Sequence, residues 1–479
     1  MSTLAERGRR LLAEGKLGRA VPLFGAPMAL GMALYTAFNF VDLWMIGQLG
    51  DASAALAALG VCDNVAAVAP IVAHGLSTGA VTLLSFALGR DDAASLRRIA
   101  WSSLGLVGVL GLVFGLVGLG GSEWIVRDLM RAKGAAAEEA VPYLQIQLGG
   151  SLAIFLLLQV TAILRALGSS VTAAVLLVSG NLLNLALNAV AIYGPGPSPE
   201  LFAWGAPIAE ALGVPRLGVQ GAAWATLVAR TLPALIGLAL VAARCGAPTR
   251  DAWVGFRDEV RRIVRLGWPA SAQFVLRALG VLALLALVNA RWTSESDQHV
   301  LTAFGIVLRL ESMVLFVGMG WGAAASSFVG VALGRSDVAR AKRAAGVATA
   351  WGFASAALLA WLYVCFAADV VQIFDASPEV VAVGVEHAHA LGWSYAALGA
   401  GVVLSQVLAG AGATFQSLLL DVVVLVLAIP AAYLAVLAFD AERVGLWHVL
   451  AAGNVAGLVL FGVWTWRGRF FRVPDEASR

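Results

Sequence analysis

The chain has 479 residues, of which 60% are apolar and only 13% charged, and its formal net charge is +3. Its mean hydropathy is +0.86. Soluble domains carry roughly 25% charged residues, so the composition excludes a water-soluble globular protein and makes the bilayer the reference solvent.

A membrane span needs about 20 mostly apolar residues. Residues 1–19 precede the first such run and carry Arg7, Arg9, Arg10, Lys16 and Arg19. They lack an apolar stretch of signal-peptide length. They are read as a basic cytoplasmic arm beside anionic lipid, too short for a nucleic-acid-binding tail. Spans are predicted over 20–47, 55–88, 97–119, 138–166, 170–193 and 217–243. A second set is predicted over 261–290, 299–333, 342–367, 380–409, 414–438 and 444–466. The fold class is therefore all-α and polytopic, with about twelve spans. Residues 122–138 read as an interfacial amphipathic helix, and 374–386 occupy the equivalent place in the second set. The Pro/Gly-rich loop 194–218 contains a short helix candidate, Ala206–Leu212.

The chain repeats itself. Gly75–Arg98 reads GLSTGAVTLLSFALGRDDAASLRR, and Gly320–Arg343 reads GWGAAASSFVGVALGRSDVARAKR. The shared core, A-L-G-R-x-D, falls at Ala87–Asp92 and Ala332–Asp337. Doubled membrane units are a common construction of transporters. Six spans per half is an even number, so both halves enter the membrane with one polarity. A pseudo-two-fold axis along the membrane normal follows, with a binding cleft between the halves. The domain reading is an N-lobe over 20–244, a linker over 245–260, a C-lobe over 261–467 and a tail over 468–479.

Lys and Arg set the orientation. They gather in the arm, at Arg90, Arg97 and Arg98, in the middle linker, at Arg335, Arg340, Lys342 and Arg343, and in the tail at Arg467, Arg469, Arg472 and Arg479. Opposite loops show Asp51, Glu200, Glu210, Glu295, Asp297, Asp369, Asp375 and Glu379, with Arg127, Arg131 and Lys133 as the exception. Both termini are expected in the cytoplasm.

Charges inside spans are rare and usually functional. Asp42 sits in the first span, with Asn39 at i−3 and Tyr35 at i−7 on its face. An isolated carboxylate in hydrocarbon costs several kcal/mol, so Asp42 needs a proton, a cation or hydrogen-bond donors. The alternative is an interfacial acid near Gly47 that serves packing. In the fifth span Asn181, Asn184 and Asn188 form one helical stripe, suited to a cavity or to hydrogen bonding between helices. Gln273 and Arg277 are one turn apart in the seventh span, Arg309 and Glu311 lie in the eighth, and Asp421 lies in the eleventh. Arg277 can pair structurally with Glu311 or Asp421, or these groups can line the cleft.

Gly75 to Gly79 and Gly111 to Gly115 have the G-x-x-x-G spacing of close helix contact. Pro27 and Pro269 sit near the starts of spans 1 and 7, at roughly corresponding repeat positions, where proline is also a benign helix initiator. Cys62, Cys245 and Cys365 lie far apart and suggest neither disulfides nor a metal site. His387 and His389 point about 200° apart on a helix, which argues against a His-x-His metal site. No phosphate-binding loop, nucleophile elbow or zinc-protease motif is present, so no enzyme and no cofactor is expected.

The stretches Pro27–Leu30, Asn39–Asp42, Gly47–Gly50, Ser85–Arg90, Leu164–Gly168, Asn181–Asn188, Leu217–Thr226, Arg265–Pro269, Gly305–Ser312 and Leu408–Gly412 stand out along the chain. Together, over roughly 20–467, they make the chain resemble the multidrug and toxic compound extrusion family. The resemblance implies a plasma (inner) membrane antiporter that expels amphipathic, cationic compounds in exchange for H⁺ or Na⁺, by alternating access of two six-helix lobes. By position, Asp42 matches the coupling acid of helix 1, and Asn184 and Asn188 match the polar pair of helix 5. One branch of the family has Asp where Asn188 stands. Another has a helix 7 Glu aligned with Arg277 and a helix 10 Asp aligned with Leu398. Those second-lobe acids are missing here, and Val281–Leu287 is apolar, so proton coupling through Asp42 is favoured over Na⁺.

The expected cation-coupling set is Asp42, Asn39, Asn184 and Asn188. The expected substrate cleft is Tyr35, Asn181, Gln273, Arg277, Arg309 and Glu311. A lipid-linked precursor flippase of the same superfamily is the alternative, since Arg277 and Arg309 could line a basic cleft. An integral-membrane transferase would need a cluster of His, Asp or Glu at one membrane face, which the scattered histidines do not supply. The partners expected are a small-molecule substrate and lipid, with no nucleic acid. A monomer is expected, because such a fold needs no second chain to enclose its cleft.

Overall fold

The structure is a computed structural model that describes residues 2–49, 58–60, 62–63, 65–294, 297–467 and 470–471, less the side chains of 2–5 and of Asn39. Asp51, Glu295, Arg469, Arg472 and Arg479 therefore lie outside the described residues. Every regular element described is helical. Apolar chain in lipid must satisfy its own backbone, and helices do so within one segment.

The helices in chain order are α1 (Ser2–Glu14), α2 (Leu17–Gly47), α3 (Val68–Gly89), α4 (Ala93–Trp124), α5 (Gly134–Gly149), α6 (Ser151–Ala166), α7 (Ser170–Ala191), α8 (Gly205–Leu212) and α9 (Gly218–Cys245). There follow α10 (Phe256–Trp292), α11 (His299–Gly334), α12 (Val338–Cys365), α13 (Ala367–Gln372), α14 (Pro378–Leu391), α15 (Tyr395–Gly410), α16 (Thr414–Tyr433) and α17 (Arg443–Arg467). Among the described residues, eleven are long and apolar enough to cross a membrane, counting α14 and α15 as one. The twelfth span is the pair α5 and α6, bent by 41° at a short break. The shortest unbroken span, 22 residues, rises roughly 33 Å, enough for a hydrocarbon core of about 30 Å. The short helix expected in the loop 194–218 is present as α8.

Two expectations are corrected. Residues 122–138 do not form an interfacial helix. α4 runs on through a π-turn at Ile125–Leu129, where Ile125 and Val126 are buried. Arg131 then turns the chain with φ 55°, and α5 starts at Gly134. The apolar side chains have a core to enter, so the segment closes one span and opens the next. The equivalent piece 374–386 likewise leads into α14. Pro27 and Pro269 are not in first turns. α2 starts at Leu17 and α10 at Phe256, so both prolines are helix-interior. The basic, polar turns that precede them simply extend the helices past the hydrocarbon.

The repeat is visible in backbone detail. At the end of α3, Asp91 N donates to Leu88 O at 3.2 Å and Asp92 N to Ala87 O at 3.0 Å. At the end of α11, Ser336 N donates to Leu333 O at 3.0 Å and Asp337 N to Ala332 O at 2.8 Å. Asp91 and Ser336 are both left-handed, with φ 57° and 63°. The Asp337 side chain then caps α12 by accepting from Arg340 N at 2.8 Å. Both halves also interrupt their fourth span, at Gly150 and at Gly392–Ser394.

By contact, the chain forms two compact units. The larger holds Met1–Ala33, Val81–Asp92 and Arg265–Arg479. The smaller holds Leu34–Ala80 and Ala93–Val264. Within the larger unit, the A-L-G-R corners of both repeats pack against each other. A Cβ on Gly334 would stand 2.5 Å from Phe86 O and 3.0 Å from Gly89 Cα. An apolar cluster from Leu287 to Ala451 includes Phe304, Tyr363, Tyr395 and Trp447. Within the smaller unit, the expected G-x-x-x-G contact is made. A Cβ on Gly111 would stand 2.7 Å from Leu152 Cα, and one on Gly115 3.0 Å from Gly149 O. Tyr193 donates to Met45 O at 2.7 Å, which pins the end of α2.

Candidate functional site

Asp42 lies five residues from the end of α2 and belongs to the smaller unit. Its carboxylate meets α7, where Asn184 and Asn188 are one turn apart and face the same way. Asn188, fully buried, donates from Nδ2 to Asp42 Oδ1 at 2.7 Å. Asn184 is 8% exposed. Oriented so that each of its atoms meets a complementary partner, its amide nitrogen donates to both Asp42 oxygens, at 3.0 and 2.8 Å. Its carbonyl accepts from Thr226 Oγ1 at 3.1 Å and from Thr226 N at 3.2 Å.

An ionised carboxylate only accepts, and both amide nitrogens turn toward it. Asn188 Oδ1 is buried without a hydrogen-bond partner. It is an unused acceptor on the same amide that touches Asp42.

α9 contributes a cation as well. Arg230 is one turn beyond Thr226 and lies within electrostatic reach of Asp42. It donates to Gln147 Oε1 on α5 at 3.3 Å, and Gln147 Nε2 donates to the Tyr143 hydroxyl at 3.3 Å. The site thus draws on four helices of one unit: α2, α5, α7 and α9. Thr226, Arg230 and Gln147 were not among the residues expected from sequence. Arg230 is an intramembrane charge, so the rule that singled out Asp42 would have found it.

The other expected residues are placed as follows. Tyr35 lies on α2 two turns before Asp42 and is half-buried. Asn39 has its side chain outside the described residues. Asn181 is on the α7 stripe, and its amide nitrogen is buried without a partner. Gln273, Arg277 and Glu311 belong to the larger unit and Asp42 to the smaller. Gln273 donates to Asp421 Oδ2 at 2.8 Å and to Ser417 Oγ at 2.9 Å. Arg277 reaches both Asp421 oxygens, at 3.3 and 3.4 Å. That pair is only partly buried, with Arg277 35% and Asp421 11% exposed. Glu311 is half-buried on α11, within electrostatic reach of Arg277. Arg309 is exposed.

A family model, MatE, matches residues 27–190 and 279–434, one copy in each half. Among curated relatives, a probable multidrug resistance protein YpnP of Bacillus subtilis is 28% identical over 410 residues, 86% of each chain. A protein of Shewanella oneidensis named FAD transporter is 24% identical over 381 residues, 78% of each chain. Among solved structures, one is described as the outward-facing conformation of a multidrug resistance MATE family transporter of the MOP superfamily. It is 23% identical, with a TM-score of 0.85, and the match covers 97% of this chain and 98% of that one. A Pyrococcus furiosus MOP superfamily transporter, described as having a binding pocket of reverse polarity, is 23% identical with a TM-score of 0.84 over 98% and 99% of the two chains. Both structures carry the two-lobed fold expected from the repeat. With more than half of its length matched by the family model, the chain belongs to the MATE family of membrane transporters.

Proposed function

We propose that the chain is a secondary antiporter of the plasma (inner) membrane, with both termini in the cytoplasm. It exports amphipathic, cationic drugs or metabolites in exchange for protons, and Asp42 is its coupling carboxylate. The observation that carries this reading is the pair of amides that donate to Asp42 from α7. A proton on Asp42 takes an acceptor from one of them. Loading is thereby felt on α7 and, through Thr226, on α9. That is a local event with two discrete states, the kind that can bias an alternating-access equilibrium.

Na⁺ coupling is the weaker reading, because the described partners of Asp42 are amide nitrogens rather than a cage of oxygens. A flippase that holds anionic headgroups needs free basic residues in its cleft, and Arg277 is occupied by Asp421. A relative bears the name of an FAD transporter, so export of an anionic metabolite is the outcome to be tested against. No cofactor is invoked, and a single chain suffices for the transport cycle.

The test is ethidium transport in proteoliposomes under an imposed pH gradient. Wild type is expected to couple ethidium movement to proton counterflow, and Asp42→Asn to fall to the rate of protein-free liposomes. Proton-coupled transport that persists in Asp42→Asn sinks the assignment. A Na⁺ gradient that drives the wild type as well as the pH gradient does would overturn the choice of ion.

A further inference from the structure

The basic arm at the start of the chain is a docked helix. α1 keeps its apolar residues on one side: Gly8 and Leu12 are buried, Leu11 and Ala13 are half-buried, and the helix packs on α11. At its end, Arg340 of α12 donates from Nη2 to Leu12 O at 3.2 Å and to Gly15 O at 2.9 Å. Carbonyls at a helix end have no partner within the helix, and this guanidinium supplies one. Arg340 is itself placed by its backbone, whose N–H donates to the capping Asp337 at 2.8 Å. Gly15 makes the joint between α1 and α2 tight. A Cβ there would stand 2.6 Å from Leu11 O and 2.9 Å from Ala20 Cβ. In the first repeat Ser95 stands where Arg340 does, so only the second corner has this arginine.

The other side of α1 is cationic. Arg7, Arg9 and Arg10 are exposed, as are Lys16 and Arg19 just beyond the helix and Arg335 and Arg343 at the corner of α11 and α12. None of them closes a salt bridge among the described residues. The exposed acids of α1 and of this corner are Glu6, Glu14 and Asp337, so the patch is net positive. α2 fixes its level in the membrane. Only Gly15 and Lys16 separate α1 from α2. Arg19 lies one turn before Leu23, which is 64% exposed on a helix apolar enough to span the bilayer. One turn rises about 5.4 Å, so these cations stand where lipid headgroups begin. Capping accounts for Arg340. It does not account for arginines held at that level without counter-charges. An anionic phosphodiester supplies the missing charge, and arginine binds phosphate through paired N–H groups. A docked α1 cannot swing out to meet a soluble partner, whereas headgroups lie within a turn of it.

We propose that α1 and the α11–α12 corner form a binding surface for anionic phospholipid headgroups, and that Arg340 is the clasp that holds α1 in place to receive them. Headgroup binding then bears on the start of α12 through that clasp. The surface is independent of the coupling ion and of Asp42, so it stands or falls apart from the antiport reading.

The test is hydrogen–deuterium exchange of the α1 amides in the purified full-length protein, in nanodiscs of phosphatidylcholine alone or with an equal part of phosphatidylglycerol. Wild-type α1 should exchange about tenfold more slowly with phosphatidylglycerol, since each surface Lys or Arg contributes about fivefold to binding anionic lipid. High salt should erase the difference. The triple variant Arg7→Gln, Arg9→Gln, Arg10→Gln should lose most of that protection and exchange in both discs as wild type does in phosphatidylcholine. Arg340→Gln should speed α1 exchange in both discs while exchange within α11 stays as in wild type. Equal exchange of wild-type α1 in the two discs, or full protection in the triple variant, overturns the lipid surface. Equal protection by soluble heparin in phosphatidylcholine discs would overturn it too, in favour of a soluble polyanion. Unchanged α1 exchange in Arg340→Gln overturns the clasp.

Discussion

Asp42 and Asp421 show two ways of holding an acid in a membrane. Asp42 is held by amides, which can donate or accept, so its proton can come and go. Asp421 is held by Arg277, which can only donate, so its charge is locked. Removing one partner of such a pair leaves the other charge stranded. Asp421→Asn is therefore expected to lower stability by up to about 3 kcal/mol, moderated because Arg277 remains 35% exposed. Thermal unfolding in detergent measures this, and the double variant Arg277→Met, Asp421→Leu should recover much of the loss. Asn184→Ala removes one of the two amides on Asp42 and keeps Asn188. Flux assays should then find proton-driven transport reduced but not absent, with ethidium binding retained. A full loss of binding would show that Asn184 holds the substrate rather than reporting the proton.

Among the elements, α3 and α11 carry the clearest message. Their A-L-G-R corners share a turn, and each needs its glycine because the other corner is in contact. A methyl on Gly334 would stand 2.5 Å from Phe86 O. Gly334→Ala is expected to cost about 1–3 kcal/mol by overpacking. Gly108→Ala, with nothing within 4 Å, should be close to neutral, and melting the two variants side by side checks the contrast. α2 and α3 are each divided between the two compact units, α2 after Ala33 and α3 after Ala80. The G-x-x-x-G of α4 was legible because spacing alone puts Gly111 and Gly115 on one face. The end of α4 was misread because amphipathic pattern does not distinguish a helix lying on the bilayer from one entering a protein core. Pro27 and Pro269 were misplaced for a related reason. Hydropathy marks where hydrocarbon begins, whereas a helix runs on until its backbone is capped.

For the whole molecule, the bias of Lys and Arg gives a testable topology. A cysteine at Ser377 should react with an impermeant maleimide from outside the cell, and one at Ser95 only from the cytoplasm; the reverse pattern would invert the proposed orientation. All-helical class, span number, doubling and the acid of the first span, Asp42, were determined by the sequence itself. Each is a matter of composition or period along one chain, and the bilayer leaves few ways to satisfy them. The partners were decided only by tertiary structure. Asn184, Asn188, Thr226 and Arg230 lie far from Asp42 in sequence, and nothing local says which helix face will meet it. The same holds for Asp421. In sequence it is one of several embedded charges. Only the packing of α10 and α16 shows that it pairs with Arg277 and Gln273. A charge in hydrocarbon demands compensation, but which group supplies it depends on how helices pack across the fold.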